Sequence, residues 1–201
     1  MLSKELLNKN RILTMSNNRT CDQLIVNIGC DSTIMMAVST RGGVKDILLI
    51  KEIFNKNLIN LTDVAYWVCR EFGIHEIMTD GLGIGREFYN LFKNKLPKQD
   101  INISFSNLAK YEAAKKLEIA VKQGTLRLLQ TPECAFYGYR KPFLGFSEVM
   151  NSHLETDKLL DEIDNIEYRV TASGNYVLML KNSEINRARL DCLLYCYTDP
   201  K

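Results

Sequence analysis

IHEIMTDGLGIGREFYNLFKNKL, residues 74–96, runs a short apolar strand into an acid, three alternating glycines and an amphipathic segment. Strand, glycine-rich turn and helix in that order form the unit that builds parallel sheets, because a helix is the usual crossover between parallel strands. The turn itself has three readings. A dinucleotide fingerprint needs G-x-G-x-x-G and a phosphate loop needs G-K-[ST]; Gly81 and Gly83 fit, but position 86 is Arg86 and no lysine follows. Taken alone, Asp80-Gly81 is most economically an Asp-Gly turn. The third reading is a strand end that presents Asp80 to a metal ion.

Upstream, QLIVNIGC (23–30), TIMMAVST (33–40) and VKDILLIKEIF (44–54) are β-rich runs separated by Asp31-Ser32 and by RGG at 41–43, the spacing of an antiparallel meander. TDVAYWVCREFG (62–73) reads as an amphipathic helix with Thr62 as N-cap and Gly73 as its stop. Downstream, INISFS (101–106) is a strand and NLAKYEAAKKLEIAVKQG (107–124) a helix ending at Gly124. The expectation is an α/β fold with a mixed five-stranded sheet, three antiparallel strands followed by parallel ones, flanked by helices. The first strand should lie beside the fourth, at the centre.

Residues 125–165 read as an excursion with a short helix around 155–163, followed by a β-hairpin over 166–181 with a Ser-Gly-Asn turn. The last segment, 183–199, reads as a helix with Ser183 as N-cap. Residues 1–20 are expected to be a linker or N-terminal extension, and 21–201 a single domain.

The apolar fraction of 46% and charged fraction of 25% are those of a soluble globular protein, and a net charge of +2 is too mild to imply nucleic acid by itself. No apolar run is long enough to cross a membrane and the N-terminus lacks an apolar signal core, which predicts a cytosolic chain. Six cysteines without a CxxC pair, and two histidines, do not make a zinc set. Reduced, mostly buried thiols are expected, with Cys192 and Cys196 packing on one helix face.

Three acids stand out. Asp31 ends the first strand and Asp80 ends the fourth; if those strands are parallel neighbours, both carboxylates emerge at the rim where open α/β sheets bind ligands. Asp191 falls among Ala188, Leu194 and Tyr195 on the apolar face of the last helix. A carboxylate there costs several kcal/mol if unpaired, roughly, so it pairs with an arginine such as Arg187 or Arg189, or with a cation. Three acids converging on one rim favour a hard divalent ion, Mg²⁺ or Mn²⁺.

Three antiparallel strands, then helix, strand, helix, strand and helix, with acids on the first strand, the fourth strand and a late helix, resemble the ribonuclease H-like fold of two-metal nucleases. Within it, IVNIGCDST, IMTDGLGIGREFYNLF, NLAKYEAAKKLEIAVKQGTLRL and the closing hairpin with NRARLD resemble, in order, the nuclease domain of the large terminase subunit of tailed bacteriophages. Many members carry Ser-Pro-Asp before the last acid, where this chain has NRARLD. The resemblance implies a metal-dependent endonuclease that cuts double-stranded DNA concatemers during genome packaging in the host cytoplasm. It implies catalysis and metal binding by Asp31, Asp80 and Asp191, with two Mg²⁺ or Mn²⁺ ions bridged by Asp31. Partners implied are double-stranded DNA, the terminase ATPase motor domain, the small terminase subunit and the portal, with no membrane. The chain itself has no G-x-x-x-x-G-K-[ST] motor motif.

Arg140 and Lys141, set in an aromatic segment, are the first candidates for DNA phosphate contact; Arg86 and Lys110 are further ones. Lysines over 110–122 otherwise suit a solvated helix face. Residues 148–167 hold seven acids against one lysine, which argues against DNA contact there and suits a solvated face. Two alternatives stay open: a Holliday junction resolvase or ribonuclease H-type nuclease, and a non-catalytic DNA-packaging assembly module.

Overall fold

A computed structural model describes residues 2–13, 20–54, 57–81, 83–95, 101–103, 106–130, 146–172, 176–182 and 186–198. Their order is α1 (Lys4–Asn8), β1 (Arg11–Leu13), β2 (Gln23–Ile28), β3 (Thr33–Arg41), β4 (Val44–Ile53), α2 (Leu58–Phe72), β5 (Glu76–Asp80), α3 (Gly83–Phe92), β6 (Ile101–Ile103), α4 (Asn107–Gln123), β7 (Leu126–Leu129), α5 (Phe146–Asp164), β8 (Ile166–Val170), β9 (Tyr176–Leu180) and α6 (Ala188–Tyr195).

The main sheet runs β1-β7-β4-β3-β2-β5-β6, and β8 and β9 form a separate hairpin. β2, β3 and β4 are the expected antiparallel meander, and β2 pairs in parallel with β5. Side chains alternate across the strands. Leu24 and Val26 of β2 meet α2 and α3 through Ala65, Val68, Phe88 and Phe92. Ile25 and Met36 face the opposite layer, where Leu117, Leu160 and Leu193 of α4, α5 and α6 close over them. Each fully buried side chain of this size contributes about 1.5–3 kcal/mol, so the two layers fix which rim β2 and β5 share.

The sheet is wider than expected, with seven strands among the described residues. β7 adds in parallel to β4, and β1 adds in parallel to β7. Residues 1–20, expected as a linker or extension, therefore contribute α1 and β1 to the fold, with Leu2, Leu7 and Leu13 buried. Arg11 anchors the strand by donating to the Leu129 and Gln130 carbonyls at 2.9 and 3.0 Å while pairing with Asp157.

Local chemistry explains the other shifts of boundary. α2 starts at Leu58 because the Asn57 side chain accepts from Ile59 N–H at 2.9 Å, whereas the Thr62 hydroxyl donates to Ile59 carbonyl inside the helix. α5 is far longer than a helix over 155–163. Its acids are a solvated face only in part: Asp161 and Asp164 are exposed, Asp161 pairing with Lys4 and half-buried Asp157 with Arg11, whereas Glu155 and Glu162 are buried against Arg189. The Ser-Gly-Asn turn and Ser183 lie outside the described residues; the last helix, α6, begins at Ala188, directly after Arg187. Cys192 and Cys196 are buried, as expected, and burial pushes the Cys196 thiol up to about 12. Among the described residues no helix is long and apolar enough to cross a membrane.

Candidate functional site

The rim is set by the parallel pairing of β2 with β5, whose last registered pair is Val26 with Thr79. One step further along the same register, Asn27 stands beside Asp80. The Asn27 amide donates to the Ala188 carbonyl at 3.1 Å and so ties this rim to the start of α6. α3 begins immediately after, and Gly85 lies so close to the end of β5 that a Cβ would overlap the Asp80 carbonyl oxygen and stand 3.0 Å from Thr79 Oγ1. The glycine-rich stretch is thus a close helix-on-strand contact, as expected, and it holds Asp80 at the rim.

Asp191 arrives from α6. Its Oδ1 lies 3.5 Å from Lys110 Nζ, in the first turn of α4, and its Oδ2 lies 3.4 Å from Arg187 Nε. Lys110 and Asp191 each keep only 15% side-chain exposure. Burial pulls the Lys110 ammonium below the usual lysine range, against the opposing pull of Asp191; Arg187 lowers it further and Asp80 raises it. Tyr195, one turn beyond Asp191, has its hydroxyl pushed up by burial first and then by Asp80 and Asp191, so it stays neutral. Asp80 and Asp191 are therefore the two acids that act on common neighbours.

Asp31 lies on the turn beyond the end of β2. β2 ends at Ile28, and Gly29 N–H donates to the Ser32 carbonyl at 3.0 Å, closing a turn with Asp31 exposed at its tip. Ser32 points away from that tip to donate to Glu52 at 2.9 Å. Among the described residues no three His, Cys, Asp or Glu side chains gather closely enough to hold a metal ion together. Arg86 is exposed on α3, beside Gly85. Arg140 and Lys141 lie outside the described residues. Of the remaining 110–122 lysines, Lys115 stacks over Tyr111 at 4.3 Å and Lys122 pairs with Glu118 at 2.7 Å, the solvated-face behaviour expected of them.

Sequence reasoning did not single out Asn27. Its signal was a polar residue in an otherwise apolar strand, and only the register with β5 gives that residue a place. Arg187 was named solely as a possible partner of Asp191, which is what it is. Arg189 was the other possibility, and it turns to the opposite side of α6.

No protein-family model matches the sequence, and no curated protein sequence matches it. Solved structures do. The magnesium-bound large terminase nuclease of thermophilic phage G20c is 14% identical, with 92% of this chain and 84% of that one aligned and a TM-score of 0.64. A mutant nuclease domain of the large terminase subunit of the bacterial virus Sf6, with manganese and beta-thujaplicinol, is 15% identical over 100% of this chain and 99% of that one, TM-score 0.62. The large terminase of another thermophilic bacteriophage, in complex with ATP-gamma-S, is 10% identical, TM-score 0.64; 96% of this chain covers 44% of that longer one. Identities this low speak for the fold, and they do so over nearly the whole chain: this protein has the ribonuclease H-like fold of large terminase nuclease domains.

Proposed function

We propose that this chain is a metal-dependent endonuclease that cuts double-stranded DNA concatemers during phage genome packaging, as the nuclease domain of a large terminase subunit. The observation that carries the proposal is that Asn27, one register step from Asp80 on the neighbouring strand, donates to the Ala188 carbonyl at 3.1 Å and so brings the start of α6, which carries Asp191, to the rim where Asp80 ends β5. Lys110 Nζ lies 3.5 Å from Asp191 Oδ1, so positive charge already sits against this carboxylate, and carboxylate oxygens suit a hard divalent ion.

Asp80 and Asp191 would hold the ion. Asp31, on the turn that follows the strand beside Asp80, is proposed as the third carboxylate and as the bridge between two ions. Two bound ions would supply an activated water for in-line attack on phosphorus and neutralise charge on the leaving 3′ oxygen. The protein's own part is positioning. Arg187, whose Nη1 also donates to the Leu178 carbonyl at 3.1 Å, fixes the Asp191 carboxylate. Gly85 allows α3 to sit on the end of β5, and the neutral Tyr195 hydroxyl adds no competing charge. Arg86, Lys110, Arg140 and Lys141 are proposed phosphate contacts. An ATPase motor, small subunit and portal are proposed as partners through the likeness to large terminases.

A second proposal, a non-catalytic packaging module, draws on the way Lys110 and Arg187 already neutralise Asp191. The two are separated by incubating the chain with supercoiled plasmid, a four-way junction and an RNA–DNA hybrid in Mg²⁺, Mn²⁺ or EDTA. Plasmid nicking in metal, lost in EDTA and in both Asp31→Ala and Asp191→Asn, is expected of the terminase nuclease. Nicking that survives in Asp31→Ala removes Asp31 from the ligand set. Junction- or hybrid-specific cutting moves the substrate to a resolvase or ribonuclease H, and no cutting of any substrate leaves the assembly module.

A further inference from the structure

The row of residues that crosses the sheet at Asp80 leads to a cavity on β4. Asn27 pairs with Ile34 and Ile34 with Glu52, so Asp80, Asn27, Ile34 and Glu52 stand abreast on β5, β2, β3 and β4. At about 4.8 Å per strand, Glu52 lies about 14 Å from Asp80 along one rim. Among the described residues β7 pairs with β4 only through Lys45 and Asp46. Further along β4, Leu49–Glu52 line a cavity of about 220 Å³, whose other walls are Trp67 of α2, Phe54 at the rim, and Asn151, Glu155 and Lys158 of α5.

Three of the charges in this lining already satisfy one another. Glu52 and Glu155 accept from Arg189 behind the wall at 2.6 and 2.5 Å, and from Lys158 at 3.2 and 2.7 Å. A free ion would have to break those bonds to enter. Lys51 adds one further positive charge, of the sign that a nucleotide's phosphate calls for. What the cavity otherwise offers is flat surface and an amide: the Trp67 indole, the Phe54 ring, which is 78% exposed, and Asn151, whose side chain carries both donors and an acceptor. Every nucleobase has a π-face for an aromatic ring to stack on and an edge of donors and acceptors. The cavity is smaller than the ~300–1,000 Å³ that drug-sized ligands fill, so it admits one base and excludes a base pair. Inside a duplex the faces of a base are covered by its neighbours, so a base that stacks on Trp67 has left the helix.

We infer that this cavity is a nucleobase subsite, which takes one unpaired base of the DNA against Trp67, about four base steps from Asp80 at ~3.4 Å per step. The inference rests on the reading of the Asp80 rim as the one that DNA meets, and it names the preferred substrate: DNA with an unpaired stretch beside the cut.

Trp67 is the single tryptophan of the chain, so its fluorescence reports the subsite directly. The whole chain is titrated in EDTA, which prevents metal-dependent cutting, with single-stranded oligothymidylate and with its blunt duplex. The single strand is expected to quench Trp67 and to bind more tightly than the duplex, which should leave the fluorescence unchanged. By anisotropy of labelled DNA, Trp67→Leu should weaken single-strand binding about tenfold, the scale of one lost base–aromatic stack, and leave duplex binding unchanged. Phe54→Ser, at an exposed position, should act in the same direction and decides the matter if Trp67→Leu does not fold: weaker binding of the single strand alone supports the subsite, and equal loss for both DNAs or no loss contradicts it. Quenching by the blunt duplex as strong as by the single strand, or single strands bound with Trp67 unquenched, overturns the subsite. Plasmid nicking in Mn²⁺ tests the nuclease separately. Nicking without quenching removes the subsite and keeps the nuclease, quenching without cutting keeps the subsite and removes the nuclease, and absence of both removes both.

Discussion

Arg189 and Asp191 sit two residues apart on the same short helix and live in opposite circumstances. Arg189 is buried and saturated: Nε donates to Glu155 at 2.5 Å, Nη1 to Glu162 at 2.7 Å and Nη2 to Glu52 at 2.6 Å. Glu162 completes its own bonding by accepting from Leu190 N–H at 2.8 Å. Those contacts lock α5, β4 and α6 together. Asp191, on the other side, is held by two bases at 3.4 and 3.5 Å. Short, complete, buried pairing fixes a fold; long pairing at a partly open rim leaves charge available for exchange.

That contrast breaks most visibly at Arg189. Arg189→Met strands three carboxylates in a dry environment, and removing one partner of such a network costs about 3–5 kcal/mol. Urea unfolding should show that loss, with the midpoint lowered sharply. Asp191→Asn should do the reverse: the isosteric amide can still accept from Lys110 and Arg187, so its unfolding midpoint should fall by clearly less than that of Arg189→Met, while Mn²⁺ affinity falls by more than about tenfold. Equal destabilisation in the two variants would erase the distinction between the two sides of α6.

Asn27→Asp sharpens the comparison from the site's side. A carboxylate beside Asp80 adds a hard ligand at a neutral position, and about tenfold tighter Mn²⁺ binding is expected by calorimetry, with a small loss of thermal stability in EDTA as acids crowd together. The smallest effect is a pH dependence on the structural side. Burial pushes the Glu162 carboxyl up to about 7, against the pull of Arg189 and the Leu190 N–H. An acid whose folded value lies above its unfolded value releases its proton first in the unfolded chain. Its contribution to stability therefore declines as pH rises from about 4.5 to about 7 and is constant above that. Glu162→Gln, measured by thermal melts across that window, should flatten the decline relative to the wild type.

Much of this contrast is legible in the amino-acid sequence. The parallel neighbourhood of β2 and β5 follows from strand and helix alternation, Asp80 from its place at a strand end, and Asp191 from an acid on an apolar helix face. Gly124 as the stop of α4 is readable because a left-handed residue is the common way to end a helix, and its φ is 68°. What escapes has physical reasons. β1 is three residues long and α1 five, too short to carry a hydrophobic period, so a stretch that joins the sheet reads as linker. Asn27 has no charge to draw notice and acquires meaning only from its register with Asp80. The acids of α5 read as a solvated face because their partners, Lys4, Arg11 and Arg189, lie far away along the chain. Asp31 reads as the end of a strand that in fact stops at Ile28, leaving it on the turn beyond.

Anomalous diffraction from crystals grown in Mn²⁺ decides whether the acids at this rim form a metal centre, because it locates the ion without reference to activity. The expected result is a manganese peak ligated by both Asp80 and Asp191. Manganese elsewhere on the molecule, or no manganese at Asp80 and Asp191 at saturating metal, would contradict it.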